Sequence, residues 1–285
     1  MDKLFHVIIP TVKFEIMTEK FLKGLPSFAN LNKYFSFGIR FQNYSDEQIE
    51  FVKSEFNKYG LDFRYTIQNY DFEYGKHKMQ VIRNDCCLLN NECLYYLDMD
   101  DDIIYDNSLE CTLTLCKCLI YLLENPKCGV LSLQKEHFTK NNFVFKSNIG
   151  KVFLSQGCFL RNIYNGQISP NEYLDIEGGL NEDMFQALMR LKDYDYYCAE
   201  IYFPYSKHYE SKQKSEWGTN VYGWQKSFYN IDKGAYAEYR KMLNSTKKIA
   251  NPSDYSFYIN TNVCIDGNEI ELLIDKLDRL IKEKY

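Results

Sequence analysis

Short apolar runs bounded by polar or turn residues recur along the chain and predict strands. Residues 35–41 alternate between aromatic or aliphatic and small or polar side chains, whereas 5–9 and 94–97 are almost wholly apolar, which is typical of strands buried on both faces. Pro10 is expected to end the first run, because proline donates no ladder hydrogen bond. The predicted strands are 5–9, 35–41, about 62–67, 94–97, 129–134, 143–146, 151–160 and 196–203.

Between the strands, apolar residues recur at the three-to-four-residue spacing of helices. Ser45 followed by Gln48 predicts a capping box at the start of one helix, and Gly60 is expected to end it. Strands that alternate with helices favour an α/β fold, with a mostly parallel central sheet covered by helices on both faces. The other predicted helices are about 15–29, 77–90, 108–124, 182–192 and 267–284.

The last predicted helix, 267–284, is amphipathic, with one apolar stripe that runs from Ile270 to Ile281. Such a stripe packs on its own domain, anchors the chain to a membrane surface, or forms a dimer contact, and the sequence leaves these three uses open. At 285 residues the chain has room for one α/β domain of roughly 240 residues and a C-terminal appendage.

Composition narrows the class of protein. A net charge of -5, with 26% charged and 45% hydrophobic residues, is that of an ordinary globular protein, so a nucleic-acid partner would need a local positive patch. The 10 cysteines and 4 histidines show no zinc-ligand spacing and are expected to be buried free thiols in a reducing compartment. No signal peptide or membrane-spanning run is visible, and a cytoplasmic location is therefore expected.

Four carboxylates follow the strand at 94–97, namely Asp98, Asp100, Asp101 and Asp102. Ligands of open α/β sheets collect at the carboxyl ends of strands. The negative charges of these carboxylates repel one another, and a divalent cation bound by their oxygens would offset this repulsion. The structural alternative is a solvated acidic turn that follows a strand and binds no cation.

Further short motifs lie in a fixed order around this strand. They are Val7-Ile-Ile-Pro-Thr11, Gly75 with Val81-Ile-Arg-Asn84, Leu97-Asp-Met-Asp-Asp101, Gln156-Gly-Cys-Phe-Leu-Arg161, Asn181-Glu-Asp183 and His208. Together they resemble the glycosyltransferases of the GT-A type, which use nucleotide-diphospho-sugars, and most of all the inverting family two. The resemblance covers roughly residues 5–210 and implies a GT-A (Rossmann-like) fold, with an aromatic-rich segment and a helix at the C-terminus.

The resemblance also implies roles on the donor side. A metal, Mn²⁺ or Mg²⁺, would be held by Asp98, Asp100 and His208, with Asp100 and Asp102 as an equally spaced alternative pair. A surface histidine is the alternative for His208, and an exposed helix face is the alternative for Arg83 and Asn84. The residues implied to bind the nucleotide-sugar are Pro10, Thr11, Gly75, Arg83, Asn84 and Asp98.

Asp183 is implied to be the general base that takes the proton of the acceptor hydroxyl, with Glu182 orienting the acceptor. Carboxylates at the start of a helix also suit capping and the helix dipole, so a structural explanation stays open for both.

The acceptor is expected to bind at the aromatic and lysine-bearing segment 204–240. Aromatic faces stack on sugar rings and on bases alike, so a glycan, a lipid-linked sugar and a modified base in DNA all remain open as acceptors. A tyrosine-rich satellite core is the structural alternative for this segment. The acceptor-side residues are Gln156, Gly157, Arg161, Trp217 and Trp224.

The implied organisation is one GT-A domain at 1–245, with a nucleotide-sugar half at 1–105 and an acceptor half at 106–245, and a C-terminal extension at 246–285. One departure from the family concerns the end of the second strand, where paired aspartates would read the base, because residues 38–43 carry no carboxylate. The nucleotide is therefore open, with a UDP-sugar favoured. The alternative function is an inactive GT-A-like module that binds a carbohydrate or a nucleotide.

Overall fold

The computed structural model describes residues 4–67, 83, 85–90, 93, 95–125, 128–134, 152–156, 197–203, 205–208, 247–249 and 267–284. Ten strands lie in these ranges. They are β1 Phe5–Thr11, β2 Phe35–Phe41, β3 Asp62–Ile67, β4 Tyr95–Asp98, β5 Ile103–Tyr105, β6 Cys128–Gln134, β7 Val152–Gln156, β8 Tyr197–Tyr202, β9 Ser206–His208 and β10 Lys247–Ile249.

Eight of these strands form one sheet in the order β10-β8-β6-β7-β4-β1-β2-β3. Strand β7 runs antiparallel to both of its neighbours, and every other described pair in this sheet is parallel. The predicted mostly parallel central sheet is therefore confirmed. Strands β5 and β9 pair separately as a small antiparallel sheet, which the sequence did not predict.

Strand β1 continues through Pro10 to Thr11, so the expectation that Pro10 ends it is wrong. The backbone oxygen of Ile8 accepts a hydrogen bond from Met99 on the β4 side. Pro10, two residues later, faces the same side, where β4 has already ended at Asp98. The missing N–H of Pro10 therefore removes no hydrogen bond from the sheet.

Five helices are described besides a short helical segment at residues 83 and 85–88. The predicted helix 15–29 is instead three pieces. The first break is at Lys20, where the backbone leaves the helical region, and the second precedes Pro26, which has no N–H to continue the hydrogen-bond ladder. The helices are α1 Phe14–Glu19, α2 Pro26–Ala29, α3 Asp46–Lys58, α4 Leu109–Glu124 and α5 Gly267–Lys284, and a 3₁₀ turn at Phe21–Gly24 lies between α1 and α2.

The capping box predicted at the start of α3 is confirmed. The backbone N–H of Gln48 donates to the Ser45 hydroxyl at 3.3 Å, and the backbone N–H of Ser45 donates to the Gln48 side chain at 3.0 Å. Gly60 follows the end of α3 with a φ of 63°, a left-handed conformation that glycine adopts without strain.

The central sheet separates two buried clusters, because successive side chains of a strand point to opposite faces. On one face Phe5 and Phe37 pack with Phe28 and with Phe56 of α3 in the main core. On the other face lies a smaller cluster of Ile8, Cys86, Cys87, Cys93 and Tyr96. Helical residues thus cover both faces of the sheet, as predicted.

The C-terminal helix α5 packs on α4, which is the first of the three uses expected for it. Leu277 of α5 is fully buried, and Lys276 of α5 pairs with Glu124 of α4 at 2.8 Å. Asp278 accepts a hydrogen bond of 2.7 Å from the Tyr34 hydroxyl.

The cysteines whose side chains are described are all buried thiols outside any disulfide bond, as expected: Cys86, Cys87, Cys93, Cys111, Cys116 and Cys118. None of the described helices is both long and apolar enough to cross a membrane. The predicted strand at 143–146 and helix at 182–192 lie outside the described residues.

Candidate functional site

The order of the strands marks one edge of the sheet as a ligand site. The chain passes from β1 to β2 and β3 on one side and then returns to place β4 on the other side of β1. Ligands of such sheets bind in the crevice outside the carboxyl ends of the strands, at this reversal. Thr11 ends β1 and Asp98 ends β4, so both lie at this edge.

Thr11 connects the two strand ends through its side chain. Its hydroxyl donates a hydrogen bond of 2.7 Å to Oδ2 of Asp101 and lies 2.6 Å from the Tyr44 hydroxyl. Burial raises the pKa of Asp101 to about 7, the Thr11 hydrogen bond opposes that rise, and the nearby Asp102 and Asp100 carboxylates add to it. Burial also raises the pKa of Tyr44. Asp101 is therefore an inward-facing carboxyl group that Thr11 holds in place.

Arg83 reaches the same edge from the opposite face of the sheet. Its guanidinium donates a hydrogen bond of 3.0 Å to Oδ1 of Asp100. The Arg83 side chain is buried, whereas the Asp100 side chain is 46% exposed. The exposed-helix alternative for Arg83 is therefore wrong, and Asp100 is a carboxylate that solvent and ligands can reach.

The small sheet brings the backbone of His208 to this edge. In the β5–β9 pair, Ile103 lies opposite His208, only three positions after Asp100. The structure describes the backbone of His208 and of Asp98 but not their side chains. Among the described side chains, no group of three or more His, Cys, Asp and Glu residues could hold a metal ion. The metal set of Asp98, Asp100 and His208 stays a prediction.

The remaining predicted site residues are only partly placed. Pro10 pairs with Arg40 in the β1–β2 register, and the backbone of Gln156 ends β7 opposite Tyr95. Outside the described residues lie Gly75, Asn84, Gly157, Arg161, Glu182, Asp183, Trp217 and Trp224.

A buried ion pair beside the site was not predicted from the sequence. Arg40, on β2, is only 1% exposed, and its Nε lies 3.1 Å from Oδ2 of Asp85. Burial raises the pKa of Asp85, and the Arg40 charge opposes that rise. A charged residue inside an otherwise apolar strand was the one available signal, since arginine is almost never fully buried without a partner.

A buried hydrogen-bond network fixes the short helical segment that carries Arg83 and Asp85. The ring of His6 donates from Nε2 to the backbone oxygen of Cys86 at 2.9 Å, because a carbonyl oxygen can only accept. Its Nδ1 then accepts from the Ser36 hydroxyl at 2.7 Å, and Asn90 donates to the same hydroxyl at 2.9 Å. Burial lowers the pKa of His6 to about 4 and keeps the ring neutral.

Comparison with known proteins gives similarity in structure only. No protein-family model matches the chain, and no curated protein matches its sequence. S. aureus TarS 1–349 in complex with UDP is 14% identical, with 98% of this chain and 80% of that chain covered and a TM-score of 0.48. The galactosyltransferase LgtC in complex with donor and acceptor sugar analogues is 11% identical, with coverages of 85% and 96% and a TM-score of 0.44.

A putative glucose-1-phosphate thymidylyltransferase from Bacillus anthracis is 12% identical, with coverages of 66% and 83% and a TM-score of 0.38. In a longer S. aureus TarS chain, the match spans only 29% of that chain. The identities and TM-scores of these structures are too low to assign this chain a family or an activity.

Proposed function

We propose that the chain is a metal-dependent glycosyltransferase that moves a sugar, with inversion, from a nucleotide-diphospho-sugar to an acceptor hydroxyl. One observation carries the proposal: β1, β4 and the β5–β9 pair meet at the carboxyl ends of the strands, where the strand order reverses. We call this place the reversal edge. This meeting joins Thr11 to Asp101 and Arg83 to Asp100, and it pairs the backbone of His208 with Ile103. A UDP-sugar is the favoured donor.

The donor side follows from the charges at this edge. Arg83 supplies a positive charge beside Asp100, where the negative diphosphate of a donor is proposed to lie. Asp100 suits a cation because it is partly exposed, whereas Asp101 is turned inward to Thr11. A bound Mn²⁺ or Mg²⁺, held by Asp98, Asp100 and His208, would neutralise charge on the leaving diphosphate as a Lewis acid.

The acceptor side rests on residues beyond those described. The acceptor oxygen forms a bond to the anomeric carbon, the bond to the diphosphate breaks, and Asp183 takes the proton of the hydroxyl while Glu182 orients the acceptor. The acceptor is a glycan or a hydroxylated or hypermodified nucleic-acid base, bound near Gln156, Gly157, Arg161, Trp217 and Trp224. The buried free cysteines support a reducing, cytoplasmic setting.

A titration with nucleoside diphosphate sugars, with and without Mn²⁺, tests the proposal through thermal shift and release of free nucleotide. We expect one sugar nucleotide to stabilise the protein only with metal, an effect that Asp100→Asn abolishes and Asp183→Asn retains. Both variants should lose turnover, whereas Asp106→Asn, a change at an exposed carboxylate just after β5, should behave as wild type. Binding without turnover would favour the inactive-module alternative, and no response to any donor would refute both functions.

A further inference from the structure

Side chains from four neighbouring strands hold the short helical segment at residues 83 and 85–88 and the turn at 89–90 that follows it, together called the Arg83 segment below. The strands β4, β1, β2 and β3 are consecutive in the sheet. Three of these side chains donate to backbone oxygens of the Arg83 segment, and the fourth forms an ion pair with it. They are Tyr96 of β4, His6 of β1, Arg64 of β3 and, in the ion pair, Arg40 of β2.

The Tyr96 hydroxyl joins two elements of the proposed donor site. It lies 3.3 Å from the backbone oxygens of both Cys87 and Asn90 and can donate to either. Cys87 comes about one helical turn after Arg83, whose guanidinium donates to Asp100 at 3.0 Å. Asp100 follows β4, the strand to which Tyr96 belongs. A closed loop of contacts results, in which β4 holds the Arg83 segment and Arg83 reaches the turn after β4.

These contacts fix the position of the Arg83 segment on the sheet. The last backbone oxygens of a helix have no partner within it, so side-chain donors determine where the helix end lies. Tyr96 is 0% exposed, and Arg64 donates to Leu89 O at 3.0 Å. Burial raises the pKa of the Cys87 thiol, and the nearby charge of Arg83 opposes that rise. A shift of the segment would therefore break these hydrogen bonds and move the Arg83 guanidinium away from Asp100.

We propose that Tyr96 is a positioning residue that holds Arg83 where it pairs with Asp100 and receives the diphosphate of the donor. Arg64 supports the same segment through Leu89 O. This role rests on the proposed function, and in it Tyr96 contacts neither donor nor metal and acts only through Arg83. A misplacement of about 1 Å far from the reacting atoms can slow an enzyme by about a hundredfold, so a distant hydroxyl group has a measurable effect.

Tyr95 offers the matched control, because it is next to Tyr96 on β4 and points to the opposite face of the sheet. Its hydroxyl also donates to a helix carbonyl, Leu122 O of α4, at 3.0 Å. Tyr95→Phe and Tyr96→Phe each remove one buried hydroxyl that donates to a helix. Only the loss at Tyr96 should change ligand binding at the reversal edge.

The first test is a calorimetric titration of the full-length chain with UDP, GDP, CDP and ADP in the presence of Mn²⁺. The nucleotide that binds wild type most tightly is then used with the variants. We expect Tyr96→Phe to weaken its binding about fivefold or more, and Tyr95→Phe less than about twofold.

The same titration in an Arg83→Lys background shows whether Tyr96 acts through Arg83. Lysine keeps the positive charge but lacks the planar fork that pairs with Asp100, so it gains little from an exact orientation of the segment. Here Tyr96→Phe should weaken binding less than about twofold. Equal losses in both backgrounds, equal losses from the two tyrosine variants, or no loss in Tyr96→Phe would overturn the proposal.

A second measurement needs no ligand. NMR of the arginine-labelled chain gives the rate at which the Arg83 guanidinium rotates, and the loss of its signal in Arg83→Lys identifies it. The hydrogen bond to Asp100 slows this rotation, which should be about tenfold faster in Tyr96→Phe and unchanged in Tyr95→Phe. Unchanged rotation in Tyr96→Phe refutes the positioning role and leaves the glycosyltransferase proposal standing. If wild type binds no nucleotide, the glycosyltransferase proposal fails, and the rotation alone decides whether Tyr96 positions Arg83.

Arg64→Met decides both measurements if Tyr96→Phe does not fold. It removes the donor to Leu89 O together with the ion pair to Asp62. Asp62→Asn is its control, because it weakens that ion pair and keeps the donor. We expect weaker nucleotide binding and faster rotation of the Arg83 guanidinium in Arg64→Met, and wild-type values in Asp62→Asn. Wild-type values in Arg64→Met would overturn the proposal.

Discussion

The Thr11 hydroxyl donates a hydrogen bond of 2.7 Å to Oδ2 of Asp101, a residue 90 positions later in the chain. The bond ties the end of β1 to the turn that follows β4, and the Tyr44 hydroxyl lies 2.6 Å from the same oxygen of Thr11. Three side chains from separate elements thus share one hydroxyl group at the reversal edge. Removal of this hydroxyl group should therefore leave both Asp101 and Tyr44 without this hydrogen-bond partner.

We expect Thr11→Val to lower the free energy of unfolding by about 1–3 kcal/mol, because valine keeps the shape but leaves a buried carboxyl group and a phenol without this partner. Chemical denaturation measures the loss. Thr114→Val is the control, since the Thr114 hydroxyl donates only to Glu110 O within α4. It should cost less than about 1 kcal/mol, because that carbonyl keeps its helical role. Equal losses would mean that the Thr11 contact does not form in solution.

Gly38 permits the close approach of the helical segment at residues 85–88 to β2. A Cβ at this position would lie 2.7 Å from the backbone oxygen of Cys86 and would collide with the His6 ring. We expect Gly38→Ala to cost about 3 kcal/mol or more, because neither a backbone oxygen nor a hydrogen-bonded ring yields cheaply. Thermal or chemical unfolding measures this cost.

Gly60→Ala is the comparison for that variant. Gly60 has a φ of 63°, and its nearest neighbour to a new Cβ is an Asn32 side-chain atom at 3.3 Å. We expect a cost of about 1–2 kcal/mol from the left-handed backbone alone. A Gly38→Ala variant as stable as Gly60→Ala would contradict the packing of Cys86 against β2.

His6 should make the folded protein sensitive to acid. Burial lowers the pKa of the folded-state ring to about 4, below the value near 6.5 of an exposed histidine. As the pH falls from about 6.5 towards 4, the unfolded chain therefore takes up the proton first and the fold loses stability. The loss assigned to His6 is on the order of 2–3 kcal/mol between these limits.

The measurement compares wild type with His6→Gln, by denaturation at a series of pH values. Glutamine does not titrate, so the variant lacks the loss of stability assigned to His6. The free energy of unfolding of wild type should therefore fall relative to that of the variant as the pH falls below 6.5. A difference that stays constant from pH 7 to pH 4 would show that His6 is not held neutral by burial.

Local patterns determined which parts of this structure the sequence could predict. The capping box of Ser45 and Gln48, the end of that helix at Gly60 and the strand bounds of 35–41 and 62–67 depend on neighbours a few residues away, and they were predicted correctly. The break of the 15–29 helix at Pro26 is also local, but the apolar periodicity concealed it.

Long-range pairings could not be predicted in the same way. The antiparallel direction of β7, the pairing of Ile103 with His208 and the Arg40–Asp85 ion pair join residues distant in the chain. Periodicity reports which face of an element is buried and not what it packs against. The acidic strand end was predicted because a strand followed by carboxylates is a local signal, whereas its contacts with Thr11 and Arg83 required the fold.

Replacement of tyrosine by phenylalanine is expected to have different effects on stability at Tyr105 and at Tyr95. The Tyr105 hydroxyl is buried without a hydrogen-bond partner among the described residues, whereas the Tyr95 hydroxyl donates to Leu122 O at 3.0 Å. Tyr105→Phe should therefore be neutral or stabilising, and Tyr95→Phe should cost about 0.5–1.5 kcal/mol. Unfolding of the two variants side by side measures the contrast. A clear loss in Tyr105→Phe would reveal a partner from outside the described ranges.

The packing of α5 on α4 can be tested with two leucines of the same helix. Leu277 is 0% exposed, whereas Leu272 is 67% exposed. Leu277→Ala should cost about 2–5 kcal/mol through lost burial and a cavity, and Leu272→Ala should stay within about 0.5 kcal/mol of wild type. If the reverse held, the exposed face of α5 that carries Leu272, and not its contact with α4, would be the stabilised surface, and a membrane or dimer role for this helix would return as the better explanation.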